Sequence, residues 1–296
     1  MKVNTQSYIY ALIAVLLWST VATAFKIALN EINVIQLLTF STGISTLVLT
    51  IIMVLSKRFV VLKSIPKRSF FNLVGKGIIN PFAYYLILFK AYSWLPANEA
   101  MILNYTWPIV LVVFTVIFLK QQFSLFDGVS IAISFVGVLI IATQGKILNV
   151  EFSNLFGVLL ALGSSIVWAF YWILNMKNSV DAIIQLWISF GVGFLASLFL
   201  FLLQKNTILV SPTAIIASIY VGFFEMSIPF IMWHLALNKA SKASNVSQLI
   251  FLSPFLSLMI ISVVLKEKIL ITSIIGFLFI LVGIFIQAIF KKTRNP

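Results

Sequence analysis

The chain has 296 residues, 61% of them hydrophobic and 9% charged, against roughly 25% charged in an ordinary soluble domain. That composition excludes a soluble globule. The net charge of +13 would point to nucleic acid in a soluble protein, but here the bases lie mostly between apolar runs; with no cysteine and one histidine, disulfides and thiol chemistry are excluded and a metal or other cofactor is not expected.

Apolar runs of about 20 residues, each long enough to cross a ~30 Å hydrocarbon core as a helix, recur along the chain. In chain order they predict an all-α, polytopic membrane protein with ten spans: 8–29, 34–55, 70–92, 97–119, 126–143, 156–176, 181–203, 213–238, 243–265 and 270–290. Span 1 follows Lys2 and holds Ala22-Thr23-Ala24, a pattern shared with signal-peptide cleavage sites. Its length and the recurrence of Trp18 in the second half favour a mature span. Between the spans lie short polar breaks, the clearest being Ser56–Ser69 around Pro66, Gln144–Asn154 and the turn Lys266-Glu267-Lys268. With the N-terminus inside, 13 of the 20 bases fall on the inner side and four on the outer. Positive loops stay cytoplasmic, so both termini are expected there, in the cell (inner) membrane of a bacterium.

Residues 81–142 align without gaps on 227–288, pairing Pro108 with Pro254, Leu119-Lys120 with Leu265-Lys266 and Gly137 with Gly283; upstream, Trp18 pairs with Trp168 and Ile35-Gln36-Leu37 with Ile184-Gln185-Leu186. The chain therefore reads as two five-helix repeats, 8–143 and 156–290. An odd number of spans per repeat inverts the second copy. Inverted repeats characterise secondary transporters, whose midplane site is exposed to either side in turn.

These residues resemble the drug/metabolite transporter superfamily of EamA-type proteins. The resemblance rests on Leu17-Trp18-Ser19-Thr20 with Phe25-Lys26-Ile27-Ala28, and on the Leu-Lys turn with a downstream Gly that closes each repeat. Lys266-Glu267-Lys268 is close to the family's basic-Glu turn, whereas the first repeat departs with Gln121. Asn104-Tyr105-Thr106-Trp107-Pro108, preceded by Glu99, and Trp168-Ala169-Phe170-Tyr171 are similar to the branch of bacterial aromatic amino acid exporters. The resemblance implies a cavity lined by spans 1, 3, 4, 6, 8 and 9, and export of amino acids or similar metabolites.

Candidate substrate contacts on those spans are Trp18, Thr20, Lys76, Tyr84, Asn104, Tyr105, Trp107, Trp168, Tyr171, Glu225, Trp233 and Gln248. Glu225 lies midway along span 8, where an ionised side chain costs a few kcal/mol unless it faces a cavity. It is expected to bind a proton or a substrate amine. His234, further along the same span, could extend a proton path. Lys76, flanked by Gly75 and Gly77, is the best cationic candidate, since Lys26 and Lys90 can snorkel to the interface. Pro108 and Pro254 each remove a helical N–H and free the carbonyl four residues earlier, those of Asn104 and Ile250. Such paired helix breaks mark transporter sites. The aromatic rings would suit an aromatic or hydrophobic substrate, and Gly43, Gly157, Gly163, Gly191 and Gly193 allow close helix approach.

The function expected is an amino acid exporter working by alternating access. The alternative is a carrier of phosphorylated sugars, nucleotide-sugars or other drug-like metabolites; the former two need cationic groups, for which Lys76 stands alone. An enzyme is not expected: Asp127 and Asp181 sit at loop edges, and neither His-Glu-x-x-His nor Gly-x-Ser-x-Gly occurs. The expected partners are a small-molecule substrate and the lipid bilayer, not nucleic acid, with a homodimer left open.

Overall fold

The first two spans form as the pattern requires. In the computed structural model, which describes residues 2–62, 64–120, 125–146, 154–175, 180–204, 211–240 and 248–292, α1 (Lys2–Leu29) is followed by α2 (Val34–Leu55). Asn33 caps α2: its side chain accepts from the N–H of Gln36, whose own side chain accepts from the Asn33 N–H. This reciprocal pair satisfies two of the orphan donors of a helix start. Lys57 then turns the chain sharply with a left-handed φ of 54°, and a short α3 (Phe59–Leu62) leads to α4 (Lys67–Gly77).

The expected third span is divided. After α4 comes a π-helical segment, Ile78–Ala83, and then α5 (Tyr84–Trp94). Asn80 inside that segment has an extended backbone (φ −143°, ψ 120°), because Pro81 has no N–H to continue the ladder and crowds the residue before it. The fourth span is α6 (Ala97–Asn104) and α7 (Trp107–Leu119), separated by a turn at Tyr105 and Thr106. Then follow α8 (Leu125–Ala142), α9 (Leu155–Asn175) and α10 (Ala182–Leu203), the last capped by the Asp181 carboxylate on the N–H groups of Ile183 and Ile184. Ser211 and Pro212 start α11 (Pro212–Phe224), a break separates it from α12 (Ile228–Lys239), and a 3-10 turn (Gln248–Phe251) enters α13 (Leu252–Val264), before α14 (Ile271–Lys292).

No strand occurs among the described residues. Six stretches there are long and apolar enough to cross a membrane: Thr5–Leu29, Val34–Leu55, Ala97–Leu119, Leu155–Asn175, Ala182–Leu203 and Pro212–Lys239. Against the ten spans expected, 128–141, 252–264 and 271–286 are apolar but shorter, and the third is interrupted as above. The start of the expected ninth span lies outside the described residues.

The chain divides into two compact units that do not follow its two halves. The first comprises 1–89 and 179–266, the second 90–178 and 267–296. Within the first, α1 packs along α11, α12 and α13, and α2 along α10 and α11. Gly222 permits the α2 contact: a Cβ there would lie 2.6 Å from the Cβ of Ile44 and 2.9 Å from the Ser41 carbonyl oxygen. Gly77 and Gly193 likewise let the divided third span press on α10. Within the second unit α9 packs along α6 and α7, and α8 along α14, where Gly137 and Gly276 face each other's carbonyl groups. Such small-residue contacts replace the hydrophobic driving force that lipid does not supply.

Candidate functional site

In the first unit, chemistry gathers at the break in span 8. Pro229 lacks the N–H that would bond the Glu225 carbonyl, and Met226 N–H is diverted to Val221, so the helix opens between Phe224 and Ile228. Side chains take up the freed carbonyls. The Trp18 indole N–H points at the Glu225 carbonyl (3.4 Å), the Ser45 hydroxyl donates to that of Met226 (3.0 Å), and the Ser227 hydroxyl donates to that of Gly222 (2.7 Å) while lying 2.9 Å from Ser45. Irregular backbone is tolerated in apolar surroundings when its polar groups find partners in this way.

The Glu225 side chain is 8% exposed. Its Oε1 accepts from the Tyr85 hydroxyl at 2.8 Å, and its Oε2 has no hydrogen-bond partner among the described residues. Buried side-chain polar atoms normally have at least one hydrogen-bond partner. Trp18 packs edge-on against Phe230 and tilted against Trp233, both at 5.6 Å between centroids. Of the residues expected from sequence, Trp18, Glu225 and Trp233 therefore come together, and Tyr84 is one step removed, its ring 4.8 Å from that of Tyr85. Tyr85 is the contact that sequence reasoning missed.

Other expected residues lie elsewhere. Thr20 bonds the Leu17 carbonyl and the Tyr220 hydroxyl. Lys76 is buried in the last turn of α4, just before the π-helical segment. His234 is exposed and its Nε2 pairs with the Asn238 amide, one turn on, at 2.8 Å. Pro254 is buried in the first turn of α13; Gln248 stands in the preceding 3-10 turn, and its side chain is outside the described residues.

The second unit holds a separate polar group at the break in span 4. The Asn104 amide donates to the Ser164 hydroxyl at 2.8 Å, and Thr106 to that of Ser165 at 3.1 Å. Here Pro108 sits in the first turn of α7, just after the break, which lies between it and Asn104. Trp107 stacks on Trp172 (6.4 Å, 16°), Trp168 meets Trp172 edge-on, and Trp168 stacks on Tyr171 (5.8 Å, 28°). Tyr105 caps the end of α6. The Trp172 indole N–H is buried without a hydrogen-bond partner among the described residues.

The other end of α6 is tied down. Glu267, of the Lys-Glu-Lys turn, accepts from the backbone N–H groups of Ala97 (3.0 Å) and Asn98 (3.3 Å) and from the Asn98 amide (3.1 Å). A carboxylate at this position also complements the helix dipole. Beside it, buried Glu99 accepts from Gln144 at 3.0 Å.

The sequence profile of the EamA-like transporter family matches residues 5–143 and again 155–289. The chain belongs to that family. An EamA-like transporter is a multi-pass membrane protein, in keeping with the apolar helices above. The chain is similar to an uncharacterized transporter of Archaeoglobus fulgidus, 23% identical over 95% of this chain and 98% of the relative. It is also similar to one of Clostridium kluyveri, 26% identical over 69% of this chain and 68% of the relative. A protein of known crystal structure shares the fold at a TM-score of 0.67, with 17% identity over 99% of this chain and 100% of that one.

Proposed function

We propose that this EamA-like transporter is a ten-span secondary carrier of small organic metabolites, amino acids with aromatic or hydrophobic side chains first among them, working by alternating access in the cell membrane with both termini cytoplasmic. The observation that carries the substrate reading is that Oε2 of buried Glu225 has no hydrogen-bond partner among the described residues. A desolvated acceptor has every reason to attract a donor, either an ammonium group or a proton, and to repel a phosphate. Trp18, Trp233 and Phe230 supply apolar ring surface next to it.

Two inverted repeats, 8–143 and 156–290, underlie this mechanism. Their support comes from the double family match, 5–143 and 155–289. It comes also from the backbone: Lys120 and Lys266, equivalent in the repeat, both take left-handed φ angles, 52° and 54°, a conformation costing a lysine about 1–2 kcal/mol. Helix pairings agree, since α1 with α13 in one unit and α9 with α7 in the other exchange under the repeat.

The test is counterflow in proteoliposomes preloaded with mixed amino acids, one labelled tracer at a time, on wild type and Glu225→Gln. Accumulation of an aromatic or hydrophobic amino acid by wild type, lost in a folded Glu225→Gln protein, is the expected result. Unchanged pH-dependent flux in the variant would sink the role of Glu225. Accumulation of phosphorylated sugars instead would turn attention to Lys76.

A further inference from the structure

The segment joining spans 2 and 3 carries five bases, Lys57, Arg58, Lys63, Lys67 and Arg68, and no acidic residue follows Lys57 until Glu99. Positive-inside bias explains the presence of bases in such a loop. It does not explain how they are displayed.

The segment is held in place on its inner side. Arg58 lies 3.6 Å from the Asp181 carboxylate that caps α10. Phe59 meets Trp187 edge-on at 5.3 Å, and Trp187 in turn donates to Thr50 at 2.8 Å. Leu62 and Ile65 pack with Phe59 on the core formed by Met53, Leu73, Ile184 and Ile188. Three helices, α2, α4 and α10, thus anchor it.

Around these contacts, cations and apolar groups are both exposed. Leu55, Val60 and Phe71 are 78%, 75% and 68% exposed, and Lys57, Lys67 and Arg68, interspersed with them along the chain, are exposed with no carboxylate partner among the described residues. A loop facing water has no use for such apolar exposure, and a surface facing acyl chains would not carry bases. Alternation of the two suits the headgroup layer, where rings and aliphatic groups reach the acyl boundary while cations meet phosphates. Lys57 takes its left-handed φ directly after the end of α2.

We propose that this face is a docking surface for anionic phospholipid, with Lys57, Lys67 and Arg68 on headgroup phosphates and Leu55, Val60 and Phe71 against the upper acyl chains. The proposal is independent of what the carrier moves.

The experiment is native mass spectrometry of the full chain released from micelles containing equal amounts of phosphatidylglycerol and phosphatidylcholine with identical acyl chains. Wild type is expected to retain phosphatidylglycerol preferentially. Removing a base near an anionic surface should cut that preference about five-fold. The single variant Lys67→Gln reports this, as does the triple variant Lys57→Gln/Lys67→Gln/Arg68→Gln, in which the preference should vanish. The charge-keeping triple variant Lys57→Arg/Lys67→Arg/Arg68→Lys should retain it. Equal retention of both lipids by wild type, or an undiminished preference in folded Lys67→Gln, overturns the proposal. Inorganic phosphate is added in a parallel arm: full displacement of the lipid by millimolar phosphate would mean a small-anion site, and would overturn the lipid assignment too.

Discussion

Among the described residues, removing the Tyr85 hydroxyl would leave neither carboxylate oxygen of Glu225 hydrogen-bonded, since Oε2 has no partner there already. A buried polar group stripped of its last partner costs about 1–3 kcal/mol, so Tyr85→Phe should lower the thermal unfolding midpoint in detergent. The loss should shrink when Glu225 is replaced by Gln as well, because the two residues are coupled. A double-mutant cycle on unfolding midpoints checks both statements, and purely additive losses would show that the pair does not interact. Glu225 itself was visible in the sequence as an acid stranded in an apolar run. Tyr85 was not, because one of two adjacent tyrosines looks like the other until the π-helical segment turns one of them toward the acid.

The helix breaks teach the same lesson one level up. Pro108 and Pro254 recur at one offset, and the break in span 4 falls at Tyr105 and Thr106, between Asn104 and Pro108. Pro229 stands in the same relation to Glu225, four residues earlier, a spacing already legible in the sequence. What no local pattern could reveal is who answers the freed carbonyls, for Trp18 and Ser45 come from spans more than 180 residues away along the chain. Nor could it reveal that Glu267 caps α6 from 169 residues off. Deleting that cap with Glu267→Ala should cost about 1–2 kcal/mol, as loss of a good N-cap does, with Glu267→Gln intermediate because an amide oxygen still accepts but brings no charge. Thermal unfolding of the three proteins side by side measures this; equal midpoints would mean that the cap contributes nothing.

Fold class was legible from composition and period alone: only helices and closed barrels cross lipid, and continuous apolar runs of about 20 residues suit the helix, whereas barrel strands alternate. The compact units were not. Each draws on both halves of the chain, 1–89 with 179–266 and 90–178 with 267–296, whereas a repeat in the sequence invites the reading that each half folds by itself. A chain cut between 147 and 153 tests the difference. Residues 1–146 and 154–296 made separately should each be digested rapidly by protease in membranes, and should become resistant when made together. Resistance of either piece alone would contradict the interleaving.

The same interleaving bears on how the protein is made. Translation delivers spans in chain order, and a ribosome that has released the first 150 residues has supplied only parts of each unit. Span 1 must wait in the bilayer for α11, α12 and α13, its packing partners, with its small and polar residues turned toward lipid or toward whatever insertion machinery shelters them. Biogenesis, more than the finished fold, is where a slow codon or a crowded translocon would do this transporter harm.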